Sequence, residues 1–177
     1  MTHQDYIALL DSYGGHFSPS EFSGDIKKMD SCFLRNFLAW RQWHGFSTMI
    51  SSAYRKGNTG VHGKGMAIDC LLFTRFRQEQ VTPIQHWLTA SAWGFKGIGL
   101  YFDWNYWNPA LKSSVPAIGL HVDSYNGDAR RTRPLRWLRI DGLFYYQSLQ
   151  TGFFFCRTNG RTISLAEAIE SDVRKAS

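Results

Sequence analysis

Three residues of this chain, His62, Asp69 and His121, have the types and spacing of a divided metal site. The first two lie within residues 61–70 and the third lies within residues 118–124. Two imidazoles and one carboxylate suit zinc, and three protein ligands leave a fourth tetrahedral position open for water, as in catalytic zinc sites. Zinc lowers the pKa of such a water toward ~7. The pattern therefore predicts a Zn²⁺ site that can activate water.

The alternation of residue types within the two segments predicts that the ligands lie on strands. In residues 66–72 the apolar side chains alternate, so Asp69 should point away from the core face. In residues 118–124, His121 and Asp123 likewise share the face opposite two aliphatic residues. An ionisable side chain in such a pattern is expected to face a cleft or solvent.

Two glycines separate His62 from the strand that carries Asp69. Gly63 and Gly65 follow the histidine closely, and glycine adopts backbone conformations that other residues avoid. We expect the backbone to bend at these positions and to bring the imidazole of His62 to the carboxylate of Asp69.

Short strands, with helices before, between and after them, are predicted to position these segments. Helices are expected at residues 30–44, 82–93 and 164–175, and a further helix start at residues 18–21. Strands are expected at residues 48–54, 66–73, 98–102, 118–124, 135–140, 143–148 and 153–157. The order of these elements predicts an α+β fold with a small antiparallel sheet and flanking helices. No linker or repeat interrupts the chain, so residues 1–177 are expected to form a single domain.

Composition excludes several classes of protein. The chain has 177 residues, 44% hydrophobic and 19% charged, which is a globular and not a disordered composition. No apolar run is long enough to span a membrane, and the N-terminus lacks a secretory signal, so we expect synthesis in the cytoplasm. Three cysteines without a Cys-x-x-Cys pair argue against a disulfide framework and against a thiolate zinc site.

The positive charge of the chain is concentrated in one segment. The net charge is +6, and five arginines cluster at Arg130, Arg131, Arg133, Arg136 and Arg139. Such a surface could attract nucleic acid, lipid headgroups or the carboxylates of a bacterial wall, or it could be a solvated strand with its flanking loop. No nucleic-acid-binding fold signature accompanies the charge, so charge alone does not favour nucleic acid as a partner.

Residues 102–109 are dense in aromatic side chains and end in Asn108-Pro109. The proline and the serines and prolines that follow predict a loop. We expect this loop either to stack on sugar rings and line a cleft, or to cover the core or contact another protein.

Five segments carry a resemblance to a known family. They are FSPSEF at residues 17–22, SSAYR at 51–55, HGKGMAID at 62–69, GIGLY at 97–101 and HVD at 121–123. In this order they resemble the zinc D-alanyl-D-alanine carboxypeptidases and L-alanyl-D-glutamate endopeptidases, which share a metal-site fold with the Hedgehog signalling domain. The resemblance spans residues 17–123, and residues 130–177 add C-terminal strands and a helix. It implies a Hedgehog-like fold with His62, Asp69 and His121 as the Zn²⁺ ligands.

The resemblance also implies catalytic roles. Arg55 matches the arginine of the family's Ser-Gly-Tyr-Arg segment and could hold a polarised carbonyl or a substrate carboxylate. Many relatives carry an acidic general base shortly before the last zinc histidine, and residues 115–120 contain none. The remaining candidates for the base are Asp123, which we prefer, and Asp103. Asp123 could equally orient His121.

The function implied by the resemblance is hydrolysis of a peptide bond in bacterial peptidoglycan. A small basic chain without a signal resembles phage lysins and virion-associated wall enzymes, which act after lysis or within a phage particle. The alternative is a virion or tail structural protein that keeps the fold and contacts other virion proteins. The absent base and the short segment between Arg55 and His62 favour this alternative, and the retention of all three ligand residues opposes it.

Overall fold

The computed structural model describes residues 1–15, 17–22, 25–45, 48–72, 83–124 and 134–176. The α-helices in these ranges are α1 (His3–Ser12), α2 (Ser31–His44), α3 (Pro83–Trp93) and α4 (Leu165–Ala176). The strands are β1 (Thr48–Ser52), β2 (Ala67–Leu72), β3 (Gly97–Asn108), β4 (Ser113–Asp123), β5 (Leu135–Ile140), β6 (Leu143–Gln147), β7 (Phe154–Phe155) and β8 (Thr162–Ile163). The predicted α+β class is therefore confirmed.

No helix within the described ranges has the length and apolar character needed to cross a membrane.

Local sequence signals define the ends of the predicted helices. Asp30 caps α2 by accepting a hydrogen bond from the backbone N of Phe33 at 2.8 Å, and Gly45 ends the helix in the left-handed conformation. Ser164 and Glu167 form a capping box at the start of α4. Residues 18–21 begin only a short 3-10 turn and not an α-helix. Thr82, the predicted start of α3, lies outside the described residues.

The strands form one open sheet in the order β1-β2-β4-β3-β5-β6-β7-β8. Neighbouring strands are antiparallel except for β3 and β5, which are parallel. The sheet is thus larger than the small antiparallel sheet predicted, and it is mixed. β5 lies beside β3 on the side opposite β4, and it runs parallel to β3, whereas β4 runs antiparallel to β3.

The two faces of the sheet have different surroundings. One face carries aliphatic residues of the central strands, such as Ile68, Leu120 and Leu138, which are buried in one core with the apolar side of α2. The opposite face carries Asp69 and His121, which are directly paired between β2 and β4. The strand alternation predicted from the sequence is therefore present.

The aromatic segment at residues 102–109 is not a loop, contrary to the prediction. β3 continues through Asn108 and pairs with an equally long β4, so that these aromatics lie on a two-stranded extension of the sheet. Pro116 is accommodated within β4 because, among the described residues, β4 pairs with β2 only from Ile118 onward. A proline is tolerated where its missing N–H is not needed by a neighbouring strand.

The predicted arginine cluster is described only at Arg136 and Arg139, since Arg130, Arg131 and Arg133 lie outside the described residues. The guanidinium of Arg136 donates to three backbone carbonyls, those of Phe95, Lys96 and Leu135. Arg139 pairs with Asp103, with 3.4 Å between its Nε and a carboxylate oxygen. These two arginines are therefore engaged within the chain.

Candidate metal centre

His62, Asp69 and His121 converge at one buried point on the face of the sheet opposite the aliphatic core. Asp69 comes from β2 and His121 from β4, while His62 lies in a short 3-10 turn that precedes β2. One possible ligand atom from each residue lies within 4.8 Å of the other two. Among the described residues, this is the one group of three or more His, Cys, Asp or Glu side chains that could hold a metal ion.

The three side chains are more deeply buried than the sequence predicted. Their exposed fractions are 5% for His62, 3% for Asp69 and 5% for His121, whereas strand alternation predicted a face open to a cleft or solvent. The reason is that the segment between β1 and β2 brings His62 and Arg55 onto the carboxylate of Asp69. Burial in a region of low dielectric strengthens every charge interaction within the group.

Close backbone packing fixes the turn that carries His62. Gly65 has a φ of 68°, and a Cβ there would lie 2.1 Å from the carbonyl oxygen of Lys28. A Cβ on Gly63 would lie 1.5 Å from the carbonyl oxygen of Asn58. Only glycine fits both positions without displacing backbone atoms. The predicted bend is therefore present, and it delivers His62 to Asp69.

Each histidine is bonded to an acceptor on the side away from Asp69. Nδ1 of His62 lies 2.6 Å from the carbonyl oxygen of Ala53 and donates to it, because a carbonyl only accepts. Nε2 of His121 lies 3.1 Å from Oδ2 of Asp123. The inner nitrogens face Asp69 instead, with Nε2 of His62 at 3.2 Å from Oδ2 and Nδ1 of His121 at 2.7 Å from Oδ1. Outer partners of this kind orient histidines that bind metals.

This arrangement fits a cation between the two rings and the carboxylate. When the outer nitrogen of a neutral imidazole carries the hydrogen, the inner nitrogen is an acceptor and faces another acceptor, an oxygen of Asp69. A proton or a metal ion must then lie between them. The group His62, Asp69 and His121 could hold such a metal ion.

The pKa values of Asp69 and His121 also show that positive charge is favoured at this position. Burial opposes the charge on Asp69, but hydrogen bonds from His121 and His62 outweigh burial and hold the pKa of the carboxyl well below its usual range. Burial also favours a neutral His121, yet its bonds to Asp123 and Asp69 raise its pKa to about 9. The carboxylates thus provide a strongly negative environment for a cation.

Arg55 links the buried group to solvent. Its NH2 nitrogen bonds Oδ2 of Asp69, and its Nε donates to Oγ of Ser52 at 2.7 Å. The side chain is nevertheless 44% exposed. Guanidinium has five N–H donors, so donors remain for a bound carbonyl or carboxylate.

The two candidates for a general base lie in different surroundings. Asp123 is fully buried and bonds His121, and its carboxylate fills the space where a Cβ on Gly97 would lie, 2.0 Å from Oδ2. Asp103 accepts a hydrogen bond from the backbone N of Gly142 at 2.5 Å and pairs with an arginine. Asp123 therefore belongs to the hydrogen-bonded group around Asp69, whereas Asp103 supports the turn between β5 and β6.

The sequence did not indicate one neighbour of the group, Trp137. Its ring lies over Gly99, where a Cβ would meet the indole at 2.2 Å, and packs against His121 with 4.9 Å between ring centroids. Its Nε1 donates to the hydroxyl of Tyr101 at 3.3 Å. A glycine within a strand often marks the close approach of another group, so Gly99 was a signal that a large side chain crosses β3.

Comparisons of the chain with protein-family models, with curated proteins and with solved structures found no match.

Proposed function

We propose that this chain is a zinc-dependent peptidase that hydrolyses a peptide bond in the stem peptide or cross-bridge of bacterial peptidoglycan. The observation that carries this proposal is the convergence of His62, Asp69 and His121, with the outer nitrogen of each histidine already bonded to an acceptor. The choice of substrate rests on the sequence resemblance described above, which also implies the Hedgehog-like variant of the α+β fold.

The donor set favours zinc among the common metals. Two imidazole nitrogens and one carboxylate oxygen are typical zinc ligands, and three protein ligands leave a position for water or substrate. Zinc held there supplies Lewis-acid chemistry, which polarises a peptide carbonyl and makes water nucleophilic at neutral pH. Calcium and magnesium prefer sites made of oxygen ligands, so a pair of histidines argues against them.

Arg55 is the residue that we assign to the substrate. It reaches solvent while two of its donors are fixed by Asp69 and Ser52, so the guanidinium is oriented before a ligand arrives. Its remaining donors suit the charge that develops on the carbonyl oxygen during hydrolysis, or a substrate carboxylate.

Asp123 is assigned to positioning His121 rather than to accepting a proton from water. A base must be reachable by water, whereas a positioning group must bond a ligand. Complete burial and the 3.1 Å contact with Nε2 of His121 support the second role. A carboxylate in this position fixes the tautomer of the ring and increases its basicity toward a metal.

The test is mass spectrometry of purified peptidoglycan after incubation with the zinc-loaded protein, alongside the His121→Ala and His3→Ala variants. His3 is an exposed histidine and serves as the matched control. We expect new fragments from the wild type and from His3→Ala, none from His121→Ala, and reversible loss on chelation. The fragment masses identify the bond that is cut. Absence of fragments from several wall types, despite bound zinc, would overturn the proposal.

A second candidate is a virion or tail structural protein that retains this fold. Two observations favour it. Asp69 already has three cationic or hydrogen-bonding partners within the chain, so the group is held together without an ion. In addition, Trp107 and Leu111 are exposed on the β3–β4 hairpin, where they could contact a neighbouring chain. Zinc binding without cleavage of any peptidoglycan would support this alternative.

A further inference from the structure

A row of paired residues runs across the sheet from the candidate metal centre to the opposite half of the sheet. Asp69 pairs with His121, His121 with Gly99 and Gly99 with Trp137. Trp137 then pairs with Tyr146, and Tyr146 with Phe155. Directly paired residues project from the same face of a sheet. The aromatic side chains of β5, β6 and β7 therefore lie on the same face as the metal centre.

These aromatics make one continuous surface, which we call the aromatic strip and define as Tyr101, Trp137, Phe144, Tyr146 and Phe155. Trp137 bonds Tyr101, the rings of Tyr101 and Phe144 lie 6.5 Å apart, and those of Phe144 and Tyr146 stack at 6.4 Å with an interplanar angle of 18°. The strip begins at His121, against which Trp137 packs.

The outer part of the strip is open to solvent. Phe144, Tyr146 and Phe155 are 41%, 42% and 43% exposed, although alternate residues of the same strands, such as Tyr145 and Phe154, are buried in the core. Adjacent exposed aromatics on one face of a soluble domain are a mark of a binding surface. The strip is therefore a candidate surface for a ligand that packs on aromatic rings.

We propose that the aromatic strip binds the glycan strand of peptidoglycan while the attached peptide reaches the metal centre, an inference that rests on the proposed function. The substrate is a branched polymer, so a site that cuts its peptide must accommodate the sugar chain nearby. With strands about 4.8 Å apart, Tyr146 lies ~14 Å and Phe155 ~19 Å from His121. The strip thus extends away from the metal centre over the length of several sugar-sized groups.

The chemistry of the strip suits a pyranose ring better than an ionic or purely apolar ligand. A sugar presents a face of C–H groups that packs on an aromatic ring, and hydroxyl and amide groups at its edges. Tyr146 and Tyr101 add hydroxyl groups to the apolar surface. The charge of Arg139 is already engaged, because its guanidinium lies 5.8 Å from the ring of Tyr101 and 5.9 Å from that of Phe144 and pairs with Asp103.

The test uses an oligomer of N-acetylglucosamine, which carries no peptide and cannot be cut by a peptidase. Calorimetric titration of the protein with the tetrasaccharide of N-acetylglucosamine should show binding. The double variant Tyr146→Ala/Phe155→Ala should weaken that binding by about tenfold or more. The control is Trp43→Ala, which removes an aromatic that is 60% exposed on α2 and outside the strip; it should bind like the wild type.

Three outcomes would overturn the proposal. They are absence of tetrasaccharide binding by the folded wild type, equal weakening by the control variant, and a wild-type dimer that the double variant dissociates while no sugar binds. The last result would assign the strip to a second copy of the chain. Circular dichroism checks that each variant is folded. Because the tetrasaccharide contains no peptide, sugar binding without any wall cleavage would refute the proposed function alone, and cleavage without sugar binding would refute the strip alone.

Discussion

The carboxylate of Asp123 lies 3.1 Å from Nε2 of His121, two residues earlier on β4, and occupies the space left by the missing side chain of Gly97 on β3. His121 is therefore held between two carboxylates, since Nδ1 contacts Asp69. The carbonyl of Ala53 plays the corresponding part for His62. The side chains that could hold a metal ion are thus oriented by hydrogen bonds within the chain.

Replacement of Asp123 by Asn should lower zinc affinity by roughly 10- to 100-fold, because the amide orients the ring of His121 without adding to its basicity. Competition against a chromogenic chelator measures the affinity, and turnover at saturating zinc should recover most of the activity. Unchanged zinc affinity together with a large loss of turnover would instead identify Asp123 as the general base.

Substitution of Gly97 by Ala should destabilise the fold by about 1–3 kcal/mol and weaken zinc binding, because the added methyl group would collide with the carboxylate of Asp123. Denaturant unfolding measures the first effect and chelator competition the second. The matched control is Gly60→Ala, where a Cβ would meet only the end of the Asn58 side chain, at 3.0 Å. If both variants had equal effects, the loss could not be attributed to a collision between the new methyl group at position 97 and the carboxylate of Asp123.

Those parts of the fold that depend on local signals could be predicted from the sequence. The caps of α2 and α4 and the burial of the apolar side of α2 follow from residues a few positions apart. The shared face of Asp69 and His121 followed from the alternation around them, because a strand's period of two fixes which residues share a face. The register that pairs these two residues was not predictable, since it depends on contacts between distant segments.

Other elements were missed for identifiable physical reasons. Helix α1 was not predicted, although it begins at a capping box of Thr2 and Asp5, which is a local sequence signal. The β3–β4 hairpin was predicted as a loop because Pro109 and Pro116 indicate irregular structure. Pro109 instead follows the end of β3, and Pro116 lies where the described part of β2 does not pair with β4.

The burial of Asp69 could not be predicted from the sequence either. Alternation shows which face a side chain occupies, but not what covers that face. Here the cover is the 3-10 turn with His62 and the side chain of Arg55. His62 bonds the backbone carbonyl of Ala53. Every residue has a backbone carbonyl, so residue types could not predict this partner.

The fold should lose stability in mild acid because of two buried histidines, His44 and His86, that are not part of the candidate metal centre. Burial, with the nearby charges of His86 and Arg41, lowers the pKa of His44 to about 3, and burial with Arg41 lowers the pKa of His86 to about 4. Both histidines bind protons more readily when unfolded, where the pKa is about 6.5. The neutral histidines therefore contribute fully to the free energy of unfolding above about pH 6.5. As the pH falls toward 4, the free energy of unfolding decreases by up to ~1.4 kcal/mol per pH unit for each ring.

Urea unfolding at several pH values between 4 and 7 measures this loss. His86→Gln, which cannot titrate, should reduce the slope of unfolding free energy against pH, whereas the same change at the exposed His3 should not. A slope unaffected by His86→Gln would contradict the assignment of the acid sensitivity to this pair.

Replacement of Arg55 by Lys should lower kcat/KM for wall peptides by about 10²-fold while zinc remains bound. Lysine keeps a positive charge near Asp69 but lacks the fork of donors that bonds Asp69 and Ser52 together and leaves further donors for the substrate. Zinc content by elemental analysis separates loss of metal from loss of catalysis. The control is Arg35→Lys on an exposed position of α2, which should retain full activity. If Arg55→Lys retained full activity as well, the guanidinium would not contact the reacting carbonyl, and its role would be limited to neutralising Asp69.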